Sequence, residues 1–298
     1  MNTTARWTEA MRRGDFAAAW SISDEQLQRR DLEDHRTLPR HFQTIWDGTP
    51  VRGKRVLVRC YHGLGDTIQF IRYARLLKRQ AAEVIVWAQS RLIPLLRTVE
   101  GIDGLLPLHD GVPDVEYDVD LEVTELPYVF RTTLASVPAD VPYIHVERGL
   151  LRRDAGLSIG LVWESGDWDT SRSVPFPEIR RLAQLGGIDW HILQRDAGRA
   201  GWDGKFGKIS GGDNPLDDAR AMRAFDLVIS VDTMTAHLAG ALGERTWMLL
   251  PFDADWRWMQ HRNDTPWYPT MRLFRQREEG HWDSVIDEVA RELVNCSV

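Results

Sequence analysis

Residues 56–70 read VLVRCYHGLGDTIQF. Val56-Leu57-Val58 is a short buried strand, Gly63-Leu64-Gly65 is a turn, and apolar residues at helical spacing run over 67–77. A strand passing through a glycine turn into a helix opens a parallel α/β sheet. Working outward, Val84-Ile85-Val86-Trp87 is the next strand, and Ser90 is placed to cap a helix over 90–99. Leu105-Leu106 and the stretch 117–123 supply two more strands. The alternation restarts after a basic, glycine-containing stretch at 148–156. There Ile159-Gly160-Leu161-Val162-Trp163, the stretch 190–193 and Leu227-Val228-Ile229 are strands. The stretches 177–185, 216–225 and 236–242 are helices, and 247–250 is a last strand ended by Pro251. Val285, Ile286, Val289, Ala290 and Leu293 mark one face of a final helix.

Two such halves predict an α/β fold with two Rossmann-like domains facing a cleft. The first spans 51–150 and the second 151–298, with the last helix free to pack back on the first domain. Ahead of them, Trp7, Met11, Phe16, Ala19 and Trp20 fall at helical spacings around a Gly14-Asp15 break, predicting a short helical segment over 1–50.

The 298 residues are enough for two such domains, and 43% apolar with 27% charged residues is an ordinary globular composition. A net charge of -7 argues against binding nucleic acid or anionic membranes, which reward clustered Lys and Arg. Basic pairs such as Arg12-Arg13, Arg29-Arg30 and Arg152-Arg153 read as solvated helix faces. No apolar run has membrane-spanning length and the N-terminus lacks a signal peptide's apolar core, so a soluble cytoplasmic protein is expected. Cys60 and Cys296, far apart in sequence, indicate neither a disulfide framework nor a zinc site.

Gly63-Leu64-Gly65-Asp66 lacks the third glycine of a dinucleotide fingerprint, Ile68 standing in its place, and no acidic residue follows the second strand. An aspartate at the carboxyl end of the first strand suits a general base facing a cleft. The same spacing fits an aspartate that only caps its own helix, and spacing alone does not choose between them. Ser230-Val231-Asp232-Thr233-Met234-Thr235-Ala236-His237 lies between a buried strand and a helix. The amides of Thr233, Met234, Thr235 and Ala236, with hydroxyls beside them, suit a diphosphate, and His237 is one turn away. Plain capping by Asp232 and Thr235, with His237 in the core, fits as well.

Trp163-Glu164-Ser165 leads to Arg172-Ser173, whose cation can neutralise a leaving phosphate or simply face solvent. Among the 13 Trp, those at 256, 258 and 267 with Tyr268 read mostly as local core. Asp255, Trp256 and Arg257 are the members expected to face the cleft. Asp-x-Asp triplets at 118–120, 167–169 and 253–255 are chance occurrences in an acidic chain rather than a metal site, and Asp118 and Asp120 fit one solvent face of a strand. No cofactor is indicated.

Together the run Gly63-Leu64-Gly65-Asp66-Thr67-Ile68-Gln69-Phe70, the strand Gly160-Leu161-Val162-Trp163 with Arg172-Ser173 behind it, and 226–243 around Ser230-Val231-Asp232-Thr233 resemble the heptosyltransferase-like, family 9-type glycosyltransferases. The tail Leu250-Pro251-Phe252, Asp255-Trp256-Arg257-Trp258, Pro266-Trp267-Tyr268-Pro269 and Met271-Arg272-Leu273-Phe274-Arg275-Gln276 is similar to the branch fused to tetratricopeptide repeats. Gly14-Asp15-Phe16 with Ala19-Trp20 resembles a last repeat fragment.

The resemblance implies a GT-B type fold and inverting, metal-independent transfer from a nucleotide-diphosphate sugar, ADP-heptose being the best-known donor. The acceptor would be a glycan, a lipid-linked saccharide or a protein. It implies Asp66 as base, the glycine loop of Gly63 and Gly65 beside it, 232–237 as diphosphate loop, and Arg172 as a donor-phosphate residue. Trp163, Asp255 and Trp256 are expected to line the substrate site. Tyr61-His62 stands where relatives commonly carry Glu-Gln, and 164–168 where they carry Asn and Pro, so sugar and acceptor stay open. A catalytically silent nucleotide-sugar binder and a nucleotide-sugar epimerase are the alternative readings, with a nicotinamide oxidoreductase behind both.

Overall fold

The computed structural model describes residues 2–29, 39–150, 156–166 and 169–296. Arg30, the Arg152-Arg153 pair and Asp167-Trp168 lie outside the described residues. The chain divides into two compact units, Met1–Ala139 with Asp255–Gln260, and Asp140–Ala254 with His261–Val298.

Unit 1 begins with helices α1 (Thr3–Arg12) and α2 (Phe16–Arg29). Gly14, at φ 74, makes the turn between them, a left-handed position that costs a residue with a Cβ but not glycine. Ala10, Met11, Phe16, Ala19, Trp20 and Ile22 are buried, and the Trp20 indole donates to Thr132 O at 2.6 Å. The hairpin, read separately in the sequence, therefore shares a core with the first α/β half.

That half carries strands β1 (Arg55–Arg59), β2 (Glu83–Ala88), β3 (Gly104–Pro107) and β4 (Val119–Glu122). Its helices are α3 (Leu64–Phe70), α4 (Ala74–Lys78), α5 (Ile93–Leu96) and α6 (Leu126–Val129). The helix read over 67–77 is thus two, joined by a 3-10 turn at Ile71–Tyr73. Gln89 rather than Ser90 precedes the turn that leads into α5, and it makes no side-chain cap.

The sheet is parallel in the order β3-β2-β1-β4. The chain moves outward from β1 through β2 to β3 and returns to β4 on the other side of β1. Order reverses between β1 and β4, and open parallel sheets bind ligands at the carboxyl edge of such a point. Asp118 and Asp120 pair with Arg55 and Arg59 of the neighbouring strand, Asp120 with 16% of its side chain exposed. The second aspartate is therefore in a partly buried ion pair rather than on an open solvent face.

Unit 2 carries strands β5 (Leu157–Val162), β6 (Ile188–Ile192), β7 (Lys208–Ile209), β8 (Leu227–Val231), β9 (Thr246–Leu250) and β10 (Met271–Arg275). They pair in parallel as β10-β9-β8-β5-β6-β7, and the reversal lies between β5 and β8. The strand read as last is therefore next to last. Met271-Arg272-Leu273-Phe274-Arg275 adds an edge strand whose alternation is masked by the aromatic loop before it.

Helices α7 (Phe176–Leu182), α8 (Pro215–Met222), α9 (Met234–Ala241) and α10 (Trp282–Cys296) complete the unit. Val285, Ile286, Val289 and Leu293 of α10 are buried, and Arg272 of β10 holds Glu292 at 2.8 Å. The last helix thus belongs to unit 2. No helix among the described residues is long and apolar enough to cross a membrane.

Candidate active site residues in two units

In unit 1, β1 ends at Arg59, and Cys60-Tyr61-His62 carries the chain to Gly63, the N-cap of α3. Asp66 sits in the first turn of that helix, and its Oδ2 accepts from Gly63 N at 3.0 Å. A Cβ on Gly63 would stand 3.1 Å from the same oxygen, so the glycine leaves room for the cap. Gly65 is the second residue of α3. Asp66 is therefore a cap, and more than a cap. Arg257 Nη2 donates to Asp66 Oδ1 at 2.6 Å, although 191 positions separate them.

Arg257 comes from the excursion Asp255–Gln260, which the contact pattern assigns to unit 1. Asp255 starts a 3-10 turn there and accepts from Arg257 N at 3.0 Å. The guanidinium lies 5.1 Å from the Trp256 ring centroid and 5.8 Å from that of Phe70. Trp256 in turn meets Trp7 edge-on at 5.3 Å, and Gln260 N donates to Arg12 O. Contact with both rings, which stack on each other at 6.3 Å, fixes the cation laterally. Asp255 and Trp256 thus hold Arg257 against Asp66.

The end of β4 delivers a second carboxylate to the same edge. Glu122 is fully buried, which is costly for a charge unless it is compensated. It accepts from Tyr61 N at 3.0 Å and from Thr124 N at 2.6 Å, and its Oε1 lies 2.9 Å from His62 Nδ1. That last contact is an ion pair at a slant to the ideal hydrogen-bond direction. Burial depresses the His62 pKa, but the facing Glu122 and Asp66 carboxylates outweigh burial and Arg257, so the net shift is upward. His62 was visible in the sequence only as a departure from relatives. Glu122 carried no signal at all beyond its place at a strand end.

In unit 2 the loop leaving β5 closes on itself. Val174 N donates to Trp163 O at 2.8 Å, Ser165 N to Ser173 Oγ at 3.0 Å, and Gln194 Oε1 receives the amides of Trp163 and Glu164. The closure sends Arg172 across the sheet to the loop after β8, where its Nη1 donates to Asp232 O at 2.9 Å. Trp163 itself is 1% exposed, and its indole donates to Ala200 O. The ring is core beneath the loop, contrary to the substrate contact expected from sequence.

Thr233 is the N-cap of α9 and makes no side-chain cap bond. Met234 and Thr235, as the first helical residues, have amides with no acceptor inside the helix. Ala236 differs from the expectation: its amide donates to Thr233 O at 3.1 Å, closing the first turn. His237 also differs. It is 3% exposed, with Nδ1 at 2.9 Å from Tyr268 Oη and Nε2 at 3.6 Å from Asp232 Oδ1. It braces the loop from behind instead of reaching outward.

Gly240 makes this brace possible. A Cβ there would fall 2.4 Å from the Tyr268 ring. The fully buried tyrosine lies against the helix where only a glycine fits, and its hydroxyl then meets His237.

Among the described residues no group of three or more His, Cys, Asp or Glu side chains is arranged to hold a metal ion. An open depression of about 820 Å³, lined by Asp196, Arg199, Trp202 and Asp203 among others, contains none of the residues above.

No protein-family model matches the chain. Its fold superposes on a glycosyl transferase family 9 protein from Veillonella parvula with a TM-score of 0.60, at 12% identity, over 84% of this chain and 99% of the other. The fold is that of the family 9 glycosyltransferases. The E. coli ADP-heptose lipopolysaccharide heptosyltransferase II gives 0.54 at 14% identity, over 81% of this chain and 98% of that one. TibC, an iron-containing dodecameric glycosyltransferase of enterotoxigenic E. coli also solved with ADP-D-β-D-heptose, gives 0.57 at 12% identity, over 84% and 78%. In sequence, the chain is 24% identical to Protein FlbA of Caulobacter vibrioides over 296 residues, covering 83% of this chain and 48% of FlbA. The chain thus spans about half the length of that relative.

Proposed function

We propose that the protein is an inverting, metal-independent glycosyltransferase that uses a nucleotide-diphosphate sugar. The observation that carries this reading is Arg172, brought to the loop ahead of α9 by a closed turn of chain and held 2.9 Å from Asp232 O. A guanidinium beside the open amides of Met234 and Thr235 is suited to a diphosphate, because charge-assisted bonds and helix-start amides both favour anionic oxygens. Unit 2 accordingly binds the donor, with Thr233 and Thr235 contributing hydroxyls and with Asp232, His237 and Tyr268 holding the loop in shape. Unit 1 deals with the acceptor, and Asp66, oriented by Arg257 and Gly63, takes the proton of the attacking hydroxyl. The nucleoside diphosphate leaves with the electron pair of the sugar–phosphate bond.

ADP-heptose and related ADP-sugars are the first donors to test, because one neighbouring fold is named for ADP-heptose and another was solved with ADP-D-β-D-heptose. The acceptor is a hydroxyl of a glycan, a lipid-linked saccharide or a protein. The test is a thermal-shift and calorimetric screen of nucleoside diphosphates and their sugars, since a ligand bound only by the folded state raises its stability with concentration. One nucleotide class is expected to bind, and Arg172→Ala to weaken it while the fold is retained. Equal affinity in that variant would remove Arg172 from the donor site.

A further inference from the structure

The carboxyl edge of the unit 1 sheet holds two proton acceptors at its reversal point. Asp66 follows β1, and its oxygens are engaged by Gly63 N and Arg257 Nη2. Glu122 ends β4 and is fully buried, with two main-chain amides, the Thr124 hydroxyl and His62 as its partners. The His62 side chain is 30% exposed, and its buried Nδ1 stands 2.9 Å from Glu122 Oε1 without hydrogen-bond geometry, so Glu122 acts on the ring as a close charge. A buried carboxylate beside one ring nitrogen stabilises the ring's protonated form, and the exposed part of the ring is free to take a proton, as a general base must.

We propose that His62, backed by Glu122, is the final acceptor of the proton released in transfer, completing the base that begins with Asp66. The inference rests on the glycosyltransferase reading above and names a second group in the same site. As the acceptor oxygen bonds to the anomeric carbon, its O–H bond breaks. The bond from that carbon to the diphosphate oxygen also breaks, and the leaving group keeps the electron pair. The proton ends on His62 Nε2, and solvent removes it before the next turnover.

An imidazole, ordinarily near pKa ~6.5, holds a proton more firmly near neutral pH than a carboxylate, ordinarily near ~4. A base whose pKa lies near the working pH is the more effective one. The charged groups facing the ring are Glu122 from β4, Asp66 from α3 and Arg257 from the excursion Asp255–Gln260. Two carboxylates against one guanidinium favour the imidazolium, so the product of the proton transfer is stabilised where it forms.

The experiment is the pH dependence of kcat/KM in the wild type, His62→Gln and Glu122→Gln, with donor affinity measured by calorimetry in each. The wild type should lose activity as pH falls through a histidine pKa above the ordinary value, because the base must be neutral. His62→Gln should lose that limb and about a hundredfold in rate, the lower end of a positioned base's contribution, with donor affinity intact. In Glu122→Gln the limb should move to lower pH, since the imidazolium loses its closest negative partner. A wild-type limb that persists in His62→Gln at an unchanged rate would overturn the proposal and leave His62 as a strap on Glu122. Wild type that binds no nucleotide sugar would instead overturn the reading on which the proposal rests, so the two failures are distinguishable.

Discussion

Gly240→Ala is a substitution whose sign is the test. Inside a helix, alanine is ordinarily better than glycine by about 0.5–1 kcal/mol, because glycine loses more backbone entropy on folding. Here the new methyl would stand 2.4 Å from one Tyr268 ring carbon and 2.7 Å from two others. Tyr268 is fully buried, so the ring cannot swing into solvent. Overpacking of this kind costs about 1–3 kcal/mol. Displacing the ring also breaks the 2.9 Å bond from Tyr268 Oη to His237 Nδ1, and a buried polar group left unpaired costs about 1–3 kcal/mol. After the propensity gain, the net is destabilisation by about 1–5 kcal/mol. In a domain of 150–250 residues each kcal/mol lowers Tm by about 2–4 °C.

The assay is thermal and urea unfolding of the single variant, of Tyr268→Ala, and of the double variant. If the ring is the obstacle, Gly240→Ala should cost stability in the wild-type background and be neutral or stabilising once Tyr268→Ala has removed the ring. Nucleotide binding should weaken with it, because the brace behind the 232–237 loop is lost. A Gly240→Ala protein as stable as wild type, or more so, would refute the packing argument and the role given to Tyr268.

Asp66→Ala should lower turnover by about a hundredfold to ten-thousandfold while nucleotide affinity in a calorimeter stays the same; a matching loss of affinity would count against Asp66 as base. The two cysteines should behave differently toward a thiol reagent. Burial first, and then the charge of Glu122, push the Cys60 thiol far above its ordinary pKa despite a bond to Thr67, so it should label only on unfolding. Cys296, half-buried, should label in the native protein. Stability should also carry a His62 signature. Its folded pKa is raised, so its contribution is complete below pH ~6.5 and declines as pH rises through the folded value. The urea midpoint of His62→Gln should lack that decline, and an unchanged pH dependence would place the titration elsewhere.

The alternation of strand and helix was legible because each element is short and bounded by glycine or proline, as at Gly63, Gly186 and Pro251. Both candidate loops could be placed at carboxyl strand ends from local pattern alone. Three features could not be read that way. Strand β10 follows an aromatic loop whose Trp267 and Tyr268 disguise the change of period. Trp163 is expected from the resemblance to line the substrate site, but its indole bond to Ala200 O, with Gln194 on its backbone amide, places the ring in the core. The amide count at α9 was one too many, since a 3-10 bond to Thr233 O satisfies Ala236 before any ligand arrives. The first two depend on partners many positions away, about which spacing within one segment carries no information, and the third on whether the first turn of α9 closes as a 3-10 turn, which residue type does not decide.

The same limit explains why the choice between cap and base at Asp66 stays open in the sequence and changes form in the structure. The two readings are not exclusive, because a carboxylate has more lone-pair sites than one amide fills. Capping through Oδ2 orients the group, and Arg257 on Oδ1 fixes its rotation, which is the preorganisation a base requires. Arg257 reaches it only because Asp255–Gln260, between two strands of unit 2, belongs to unit 1. The aromatic residues around it thereby acquire a reason: Trp256 stacks on the guanidinium and Trp7 buttresses Trp256. The tail segment whose Asp255, Trp256 and Arg257 were expected to face the cleft therefore holds a cation against the candidate base. Replacing Arg257 should damage turnover through Asp66 while leaving the nucleotide-binding residues of unit 2 untouched.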